Sequence, residues 1–436
     1  MLGNVGCYTQ ICAYVGVGAR HIRIQSCHSL HLLEQQACSL NHNRHACTVT
    51  SNILLTDRPS DLPHRRPTRR YTSHMPATKN MIEYTPPSWT DSVDKGCIPT
   101  HRIRLSMQHT PVEDWSQLPG VPKGVHVGIK RDDLTGSALG GNKVRKLEFL
   151  IAAALLQGCD SVITCGAVQS NHARATALAA RSQGLDSHLF LRSNDPSNTN
   201  IGHQGNVLLD KLMGSTFHLL GRVPYKTGLL PPMKAFQDSE AVQGRKSFLI
   251  PVGGSDIVGW WGYVECFREL LQQGVDKDYT DIVVTTGSGG TAAGLAISNY
   301  LCGSPLKIHA VCVCDNADYF HRHINETLRE LGLGGKKDSL RSQDIIDIID
   351  GYKGKGYGLS QPEEFMLIRD VARSTAILLD PVYTAKGVRG MISELHANPQ
   401  RFKGQNVLFL HTGGIFGLYD GTINPYLQDS TVTVVA

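Results

Sequence analysis

The sequence predicts an α/β fold built from open, mostly parallel twisted sheets with helices on both faces. From about residue 125, short β-type runs alternate with helical runs, a pattern typical of parallel sheets whose strands are joined by helices. Several of these runs end in turns that contain glycine. Ligands bind at the carboxyl ends of the strands in such sheets, so we expect a functional site at these turns.

Hydrophobic runs and helical periodicity locate the individual elements. Strands are predicted at residues 125–130, 161–164, 188–192, 281–285, 307–314 and 406–411. Helix candidates include residues 144–157, where apolar side chains recur three or four positions apart, and residues 173–182. Residues 223–245 are rich in turn-forming residues, so we expect a surface connection there.

The first 80 of the 436 residues differ in composition from the rest. They contain nine basic and three acidic residues and so carry a charge of +6, whereas the remaining residues sum to −1. The body of the chain therefore lacks the basic excess of a nucleic-acid-binding protein. An arginine-rich leader that is poor in acidic residues is typical of an organellar transit peptide. We therefore predict a mitochondrial location, with the cytoplasm and the chloroplast as alternatives.

Two other interpretations of the first 80 residues stay open. One is a zinc site, although the spacing of its possible ligands is irregular for a zinc module. These ligands are Cys38, His42, His45 and Cys47. The other is that translation begins at Met75. The longest apolar run, residues 149–156, has eight residues, whereas a bilayer span needs about 20, so an integral membrane protein is not predicted.

A lysine stands directly after a glycine-rich turn, at the start of the first predicted helix. Residues 140–142 are Gly-Gly-Asn and precede Lys143. Glycines let a backbone approach a ligand closely, and the positive charges of Arg145 and Lys146 are expected to lower the pKa of Lys143. A neutral amine of this kind can act as a nucleophile. A solvated surface lysine is the alternative.

Two other turns join a predicted strand to a helix and present donors to an anion. Residues 169–172 are Gln-Ser-Asn-His and are typical of an anion pocket at a helix N-terminus, but Ser170 or Asn171 could simply cap the helix. Residues 287–291 are Gly-Ser-Gly-Gly-Thr and are typical of a phosphate cup. They lack the lysine of a Walker motif and the acidic residue of a Rossmann fingerprint. A tight turn without a ligand is the alternative.

Two tyrosines near the C-terminus complete the set of candidate residues. Tyr357 lies between two glycines, and Tyr383 ends the sequence Asp-Pro-Val-Tyr. A tyrosine with a tuned pKa can transfer protons. Packing at a partly polar surface is the alternative for both.

These motifs together resemble the D-cysteine desulfhydrase/1-aminocyclopropane-1-carboxylate (ACC) deaminase family of pyridoxal-phosphate enzymes, which have the two-domain tryptophan-synthase-β-like fold. The resemblance covers about three quarters of the chain, and it is carried by residues 129–135, 141–148, 169–176, 287–291 and 380–383. It implies pyridoxal 5′-phosphate as the cofactor, a small-molecule amino-acid substrate and a homodimer. The large domain would comprise residues 81–146 and 246–436, and the small domain residues 147–245.

The resemblance also implies a role for each candidate residue. Lys143 would hold the cofactor covalently, and Asn171 would bond its phenolic oxygen. The phosphate would be bound by Gly287, Ser288, Gly289, Gly290 and Thr291, with added charge from Lys146. Thr384 would lie near the pyridine nitrogen. Proton transfer and substrate binding would fall to Ser170, Tyr357, Tyr383, Gln169, His172 and Thr412. No metal is implied.

Two positions distinguish the members of this family. ACC deaminases carry glutamate directly after the catalytic tyrosine and leucine before the late Gly-Gly, whereas this chain has Thr384 and Thr412. The resemblance therefore implies D-cysteine desulfhydrase, which converts D-cysteine to pyruvate, hydrogen sulfide and ammonia. The alternatives are ACC deaminase, a lyase for another β-substituted amino acid, and a non-catalytic protein with a metal-binding N-terminus. One departure is Ala385, where the family usually has glycine.

Overall fold

The computed structural model describes residues 80–334, 340–428, 431 and 433. The predicted transit peptide, the alternative zinc site and Met75 all lie outside these residues. Within the described part of the chain, no helix has both the length and the apolar composition needed to cross a bilayer.

The described residues form twelve strands and eleven α-helices, joined by short 3-10 and π turns. The strands are β1 (Met81–Glu83), β2 (His101–Ile103), β3 (Val112–Asp114), β4 (His126–Lys130), β5 (Ser161–Ala167), β6 (Asp186–Arg192), β7 (Thr216–Leu220), β8 (Ser247–Leu249), β9 (Asp281–Thr286), β10 (Lys307–Cys312), β11 (Asp347–Ile349) and β12 (Asn406–Leu410). The helices are α1 (Lys143–Leu156), α2 (Asn171–Ser182), α3 (Gly205–Leu212), α4 (Leu230–Val242), α5 (Ile257–Gln272), α6 (Val275–Asp278), α7 (Gly290–Leu301), α8 (Ala317–Glu330), α9 (Ser342–Ile345), α10 (Pro362–Thr375) and α11 (Thr384–Ala397).

The larger sheet has six strands in the order β11-β10-β9-β12-β4-β3. All of its neighbours run parallel except β3, which is antiparallel to β4. Side chains alternate along β9: Ile282 and Val284 pack with helices α5, α7 and α8, whereas Val283 packs with α10 and α11. Because both faces of the sheet are covered, the central residues of its parallel strands are mostly apolar, as expected for a parallel sheet. The predicted α/β architecture is confirmed.

A second sheet has four parallel strands in the order β7-β6-β5-β8, and β1 and β2 form a small antiparallel pair. On β5, Val162 packs with helices α1 and α2, whereas Ile163 packs with Met233 of α4. This sheet is therefore also covered on two faces. The predicted domain boundaries and the predicted homodimer stay predictions.

All six predicted strands and both predicted helices are present, with ends that differ by at most three residues. One prediction was wrong: residues 223–245 are not only a surface connection, because they contain helix α4. Pro231 and Pro232 are compatible with this helix because they lie in its first turn, where the backbone N–H groups have no intrahelical partner. Met233 is fully buried, and burial of such a side chain outweighs local turn preference.

A buried histidine joins three strands of the larger sheet. His309 on β10 places Nε2 2.8 Å from Asp281 Oδ1 on β9 and Nδ1 2.8 Å from Asp347 Oδ2 on β11. Burial by itself would lower the pKa of His309, but the two hydrogen bonds raise it. Burial would also raise the pKa of both carboxyl groups, but their hydrogen bonds to His309 lower it. A protonated His309 therefore links the three strands electrostatically.

We predict that His309→Gln lowers the free energy of unfolding by about 3 kcal/mol at pH 6, because it removes the positive charge shared by the buried Asp281 and the partly buried Asp347. The stabilisation from a raised histidine pKa is complete below about pH 6.5 and is lost as the pH rises through the folded-state pKa. The stabilisation from the lowered carboxyl pKa values is lost as the pH falls below about 4. Urea unfolding at pH 6 and pH 9 measures this dependence.

The matched control for this prediction is His396→Gln, which removes an exposed histidine. We expect it to change the unfolding midpoint little at either pH. Equal destabilisation by His309→Gln at pH 9 and at pH 6 would contradict the view that the protonated form of His309 links the three strands.

Candidate active site

Three neighbouring parallel strands, β4, β12 and β9, end at the same edge of the larger sheet. The loops that follow them, together with the first residues of several helices, enclose a pocket. Its lining residues are Asn142, Lys143, Asn171, Thr285, Thr286, Gly287, Ser288, Gly289, Thr291, Tyr383, Thr412 and Gly413. The pocket therefore lies at the carboxyl ends of the strands, where the fold class predicts a ligand site.

Lys143 is the first residue of α1 and lines this pocket. Burial lowers the pKa of its amine to about 8, and the nearby charge of Asp380 opposes the shift. The predicted direction of the shift is therefore right, but its largest cause is burial, which was not predicted. The predicted repulsion between Lys143 and Lys146 is present, whereas the charge of Arg145 is neutralised elsewhere.

Arg145 points away from the pocket into a buried ionic cluster. Its guanidinium donates to both carboxylate oxygens of Asp132, at 2.7 and 2.9 Å, and to Glu269 at 3.0 Å. Lys130 donates to the same Glu269, and Tyr263 donates to Asp132 at 2.9 Å. Two buried cations are thus matched by two buried anions, which fixes the first turn of α1 against β4 and α5.

Hydrogen bonding distinguishes Lys143, which is partly buried, from the fully buried lysines of the site region. Lys130 donates to Glu269, Gln273 and the carbonyl of Thr110, and Lys386 donates to three carbonyls. The amine of Lys146 donates to the carbonyl of Gly253 at 3.2 Å and to Ser255 at 3.3 Å. The amine of Lys143 makes no hydrogen bond to any of the described residues. It is therefore the amine that is available to react.

The turn at residues 287–291 joins β9 to α7. Gly289 has φ +87°, and a methyl group there would clash with the ring of His323, so both the backbone angle and the close approach require glycine. At Gly290, a methyl group would lie 2.8 Å from the amine of Lys146. Ser288 Oγ lies 2.8 Å from Ser255 Oγ. This turn thus combines backbone N–H groups, hydroxyls and a lysine at a helix N-terminus, a suitable set for a phosphate.

Two residues of the pocket escaped sequence analysis because neither belongs to a recognisable motif. Thr286, the last residue of β9, has a buried hydroxyl with no partner among the described residues. A buried hydroxyl without a partner costs free energy, so a ligand that bonds it would recover that cost. Thr285 precedes it and places its hydroxyl 3.3 Å from that of Thr412.

The turn at residues 169–172 precedes and begins α2, but only Asn171 lines the pocket. Ser170 caps this helix, since its hydroxyl accepts from the backbone N–H of Ala173 at 3.1 Å, and it keeps its own proton free to donate. Asn206 donates to Asn171 Oδ1 at 3.0 Å, which leaves the Asn171 amide N–H group for a ligand.

Gln169 and His172 adjoin the pocket without lining it. The Gln169 side chain accepts from the backbone N–H of Asn206 at 2.9 Å. His172 Nε2 lies 2.9 Å from the hydroxyl of Thr164. Burial, together with the charges of Lys143 and Lys146, lowers the pKa of His172 well below its ordinary value. The substrate-binding roles of both residues stay predictions.

Tyr357 and Tyr383 meet at the side of the pocket formed by α11. Their hydroxyl oxygens are 2.5 Å apart, and their rings pack edge to face with centroids 5.8 Å apart. Burial raises the pKa of both phenols. The shared hydrogen bond lowers the pKa of Tyr357 and raises that of Tyr383. Both phenols therefore keep their protons at neutral pH, and one hydroxyl donates to the other next to the ligand site.

Thr384 is fully buried and does not line the pocket. Its hydroxyl donates to Asp380 Oδ1 at 2.8 Å, and the same carboxylate accepts from the backbone N–H groups of Val382, Tyr383 and Thr384. Ala385, the departure from the family pattern, is buried within α11 and donates to the carbonyl of Asp380 at 3.1 Å. Alanine therefore fits this helical position.

Comparison with known proteins gives consistent matches. Residues 103–413 match the family described as pyridoxal-phosphate dependent enzymes. An Arabidopsis thaliana protein named "Bifunctional D-cysteine desulfhydrase/1-aminocyclopropane-1-carboxylate deaminase, mitochondrial" is 42% identical over 343 residues, which cover 77% of this chain and 83% of that protein. The D-cysteine desulfhydrase of Yersinia pestis is 35% identical over 323 residues, covering 73% of this chain and 95% of its own.

A solved structure agrees with these sequence matches. The crystal structure of an ACC deaminase homologue is 34% identical and has a TM-score of 0.65, covering 76% of this chain and 97% of its own. The predicted tryptophan-synthase-β-like fold class is thereby confirmed.

We predict that the amine of Lys143 reacts with an acylating reagent with a midpoint near pH 8 in protein freed of cofactor, because burial disfavours its charged form. Mass spectrometry of the Lys143 peptide across a pH series measures the midpoint. In the loaded protein, borohydride should fix the cofactor to the same peptide, and Lys143→Ala should remove both the attachment and turnover.

Lys123→Ala, which removes an exposed lysine, is the matched control. It should retain both the cofactor attachment and the turnover. A midpoint for Lys143 near 10.5, the ordinary lysine value, would contradict the effect of burial. Normal turnover by Lys143→Ala would contradict the assignment of the attachment site.

Proposed function

The chain belongs to the family of pyridoxal-phosphate dependent enzymes, and from this premise we propose that it is a D-cysteine desulfhydrase. The reaction is the elimination of hydrogen sulfide from D-cysteine, followed by hydrolysis of the remaining enamine by one water molecule to pyruvate and ammonia. An enzyme that catalyses this reaction is a carbon–sulfur lyase. Two features support the assignment: the residues of the pocket fit the cofactor, and two threonines bear on the choice of substrate.

The residues present fit pyridoxal 5′-phosphate. The amine of Lys143 has no hydrogen-bond partner among the described residues. The aldehyde of the cofactor requires a free amine of this kind. Residues 287–291 and the N-terminus of α7 offer backbone N–H groups for the phosphate, with Lys146 close by. Asn171 has a free amide N–H group for the phenolic oxygen, and the unpaired hydroxyl of Thr286 offers one more donor.

When bound, pyridoxal phosphate supplies an electron sink for the charge that develops at the α-carbon of the substrate. The tyrosine pair supplies protons. Because burial raises the pKa of both phenols, they are protonated at neutral pH, and Tyr383 would donate a proton to the departing sulfur. Once Tyr383 has given up its proton, the Tyr357 hydroxyl, 2.5 Å away, would donate to the phenolate that remains. Ser170 keeps a hydroxyl proton that can bond the substrate.

The observation that supports D-cysteine is the pair Thr384 and Thr412. ACC deaminases, which this chain resembles, carry glutamate and leucine at these places, and a carboxylate there keeps the pyridine nitrogen protonated. Ring opening of ACC needs this deeper electron sink. A thiol leaves more readily, since its ordinary pKa is only about 8.5. A threonine hydroxyl is therefore sufficient for desulfhydration.

ACC deamination is the second candidate, and two observations favour it. The Arabidopsis relative is named for both activities. In addition, the carboxylate of Asp380 is fully buried and accepts from the hydroxyl of Thr384 at 2.8 Å. A carboxyl group thus lies one hydrogen bond away from the position where the deaminases carry glutamate.

We predict that the native enzyme releases sulfide from D-cysteine faster than it cleaves ACC. The double variant Thr384→Glu, Thr412→Leu should lose at least about 100-fold in kcat/KM for D-cysteine, because leucine removes the Thr412 hydroxyl from the pocket and glutamate places a second carboxylate beside Asp380. ACC cleavage should rise modestly, because the new carboxylate would lie beside Asp380 and be partly neutralised by repulsion. Sulfide and keto-acid assays on D-cysteine, L-cysteine and ACC measure these rates.

Thr384→Ser, which keeps the hydroxyl, is the matched control and should stay within about tenfold of the native rate, since its hydrogen bond is conserved. Equal native turnover of ACC and D-cysteine would show that these two threonines do not set the substrate.

We also propose that residues 1–80 direct the enzyme to mitochondria. The support is their charge of +6 and the mitochondrial Arabidopsis relative. A fusion of residues 1–80 to a fluorescent reporter should enter mitochondria, and a chain that starts at Met75 should keep full activity. Replacing the arginines of the leader with glutamine is the control and should leave the reporter in the cytosol. Stoichiometric zinc binding by residues 1–80 would favour the metal site instead.

A further inference from the structure

Lys386 is a fully buried lysine that binds three carbonyl groups of a single loop. It lies in the first turn of α11, three residues after Tyr383. Its ammonium donates to the carbonyls of Lys353 at 2.8 Å, Gly356 at 3.0 Å and Leu359 at 3.0 Å. An ammonium has three N–H donors, so these acceptors satisfy it completely. All three hydrogen bonds of Lys386 are therefore made to the backbone of the loop.

The loop at residues 353–359 has no helix or strand to hold it. Three glycines in it adopt positive φ, with +62° at Gly354, +137° at Gly356 and +71° at Gly358. Backbone angles of this kind are readily lost when a loop opens, since glycine has many other conformations. Only two turn hydrogen bonds lie within the loop, and the carbonyls that accept them are those of Lys353 and Gly356. Lys386 thus binds both of these turns.

We propose that Lys386 is a positioning residue that holds this loop on α11 so that Tyr357 meets Tyr383. Tyr357 belongs to the loop and Tyr383 to the start of the helix, so their 2.5 Å contact depends on how the two segments are joined. Lys386 joins them on one side, and Ser360, which donates to the carbonyl of Pro381 at 2.8 Å, joins them on the other. The catalytic part of this inference rests on the proposed function, whereas the structural part does not.

Limited proteolysis of the loaded enzyme tests the structural part. Trypsin cleaves after Lys353, whose carbonyl is one of the three that Lys386 binds, so the protease must break that contact. Lys386→Met keeps the length of the side chain but removes its charge and donors. Cleavage after Lys353 should become faster by at least about tenfold, since losing a buried, charge-assisted hydrogen bond shifts local opening by that factor. Mass spectrometry identifies the cleaved bond.

The matched control is Lys403→Met. Lys403 is exposed and donates to one carbonyl, that of Pro305, so cleavage after Lys353 should stay at the native rate. If Lys386→Met does not fold, as judged by circular dichroism, Lys386→Gln takes its place. Glutamine keeps two N–H donors on a shorter side chain and should give an intermediate cleavage rate.

Steady-state kinetics test the catalytic part. Lys386→Met should lower kcat for D-cysteine about as much as Tyr357→Phe, with a smaller change in KM, while Tyr357→Phe should leave cleavage after Lys353 at the native rate. If trypsin cleaved the Lys386 variants after Lys353 at the native rate, the inference would be overturned. Faster cleavage with an unchanged kcat would overturn the link to the tyrosine pair. If the native enzyme were inactive on both D-cysteine and ACC, only the proposed function would be overturned. The rate of tryptic cleavage after Lys353 would still decide the role of Lys386.

Discussion

The active site depends on a buried ionic cluster that lies just behind it. Arg145 binds Asp132 and Glu269, and Lys130 binds the same glutamate, so the last residue of β4, the loop after it, α1 and α5 are tied together. Removing one partner from such a cluster leaves a buried charge unpaired, at a cost of about 3–5 kcal/mol. Because α1 begins with Lys143 only two residues before Arg145, the position of the reactive amine is set by this cluster.

The pocket is electrostatically prepared for an anion. Burial lowers the pKa of both Lys143 and Lys146, and the charge of Lys143 lowers that of Lys146 further. The N-terminus of α7 adds a partial positive charge at the same place. An anionic group bound at residues 287–291 would stabilise the charged form of Lys146, so binding and protonation favour one another. Because a phosphate would bind the folded protein and not the unfolded chain, its binding would also stabilise the fold by mass action.

Sequence patterns predicted those parts of the candidate site that are formed by short, continuous segments. The Gly-Asn-Lys turn, the amide-rich turn and the glycine-rich turn each combine a strand end, a loop and a helix start within a few residues, so local chemistry identifies them. The patterns were less informative about the roles of some single residues, both inside and outside the motifs. Thr286, Asp380 and Lys386 were not assigned roles, because a threonine in a strand or a lysine in a helix has no distinctive sequence context until its neighbours in space are known.

The sequence by itself determined the alternation of strands and helices, the burial of the parallel strands and the positions of the three turns that meet at the pocket, because periodicity and turn chemistry are local properties. Only the tertiary structure decided which charges pair and which side chains meet. His309 contacts Asp281 and Asp347 across three strands, and Lys386 reaches a loop about 30 residues before it. These contacts follow from strand order and helix packing, and a linear pattern contains no record of which distant segments become neighbours.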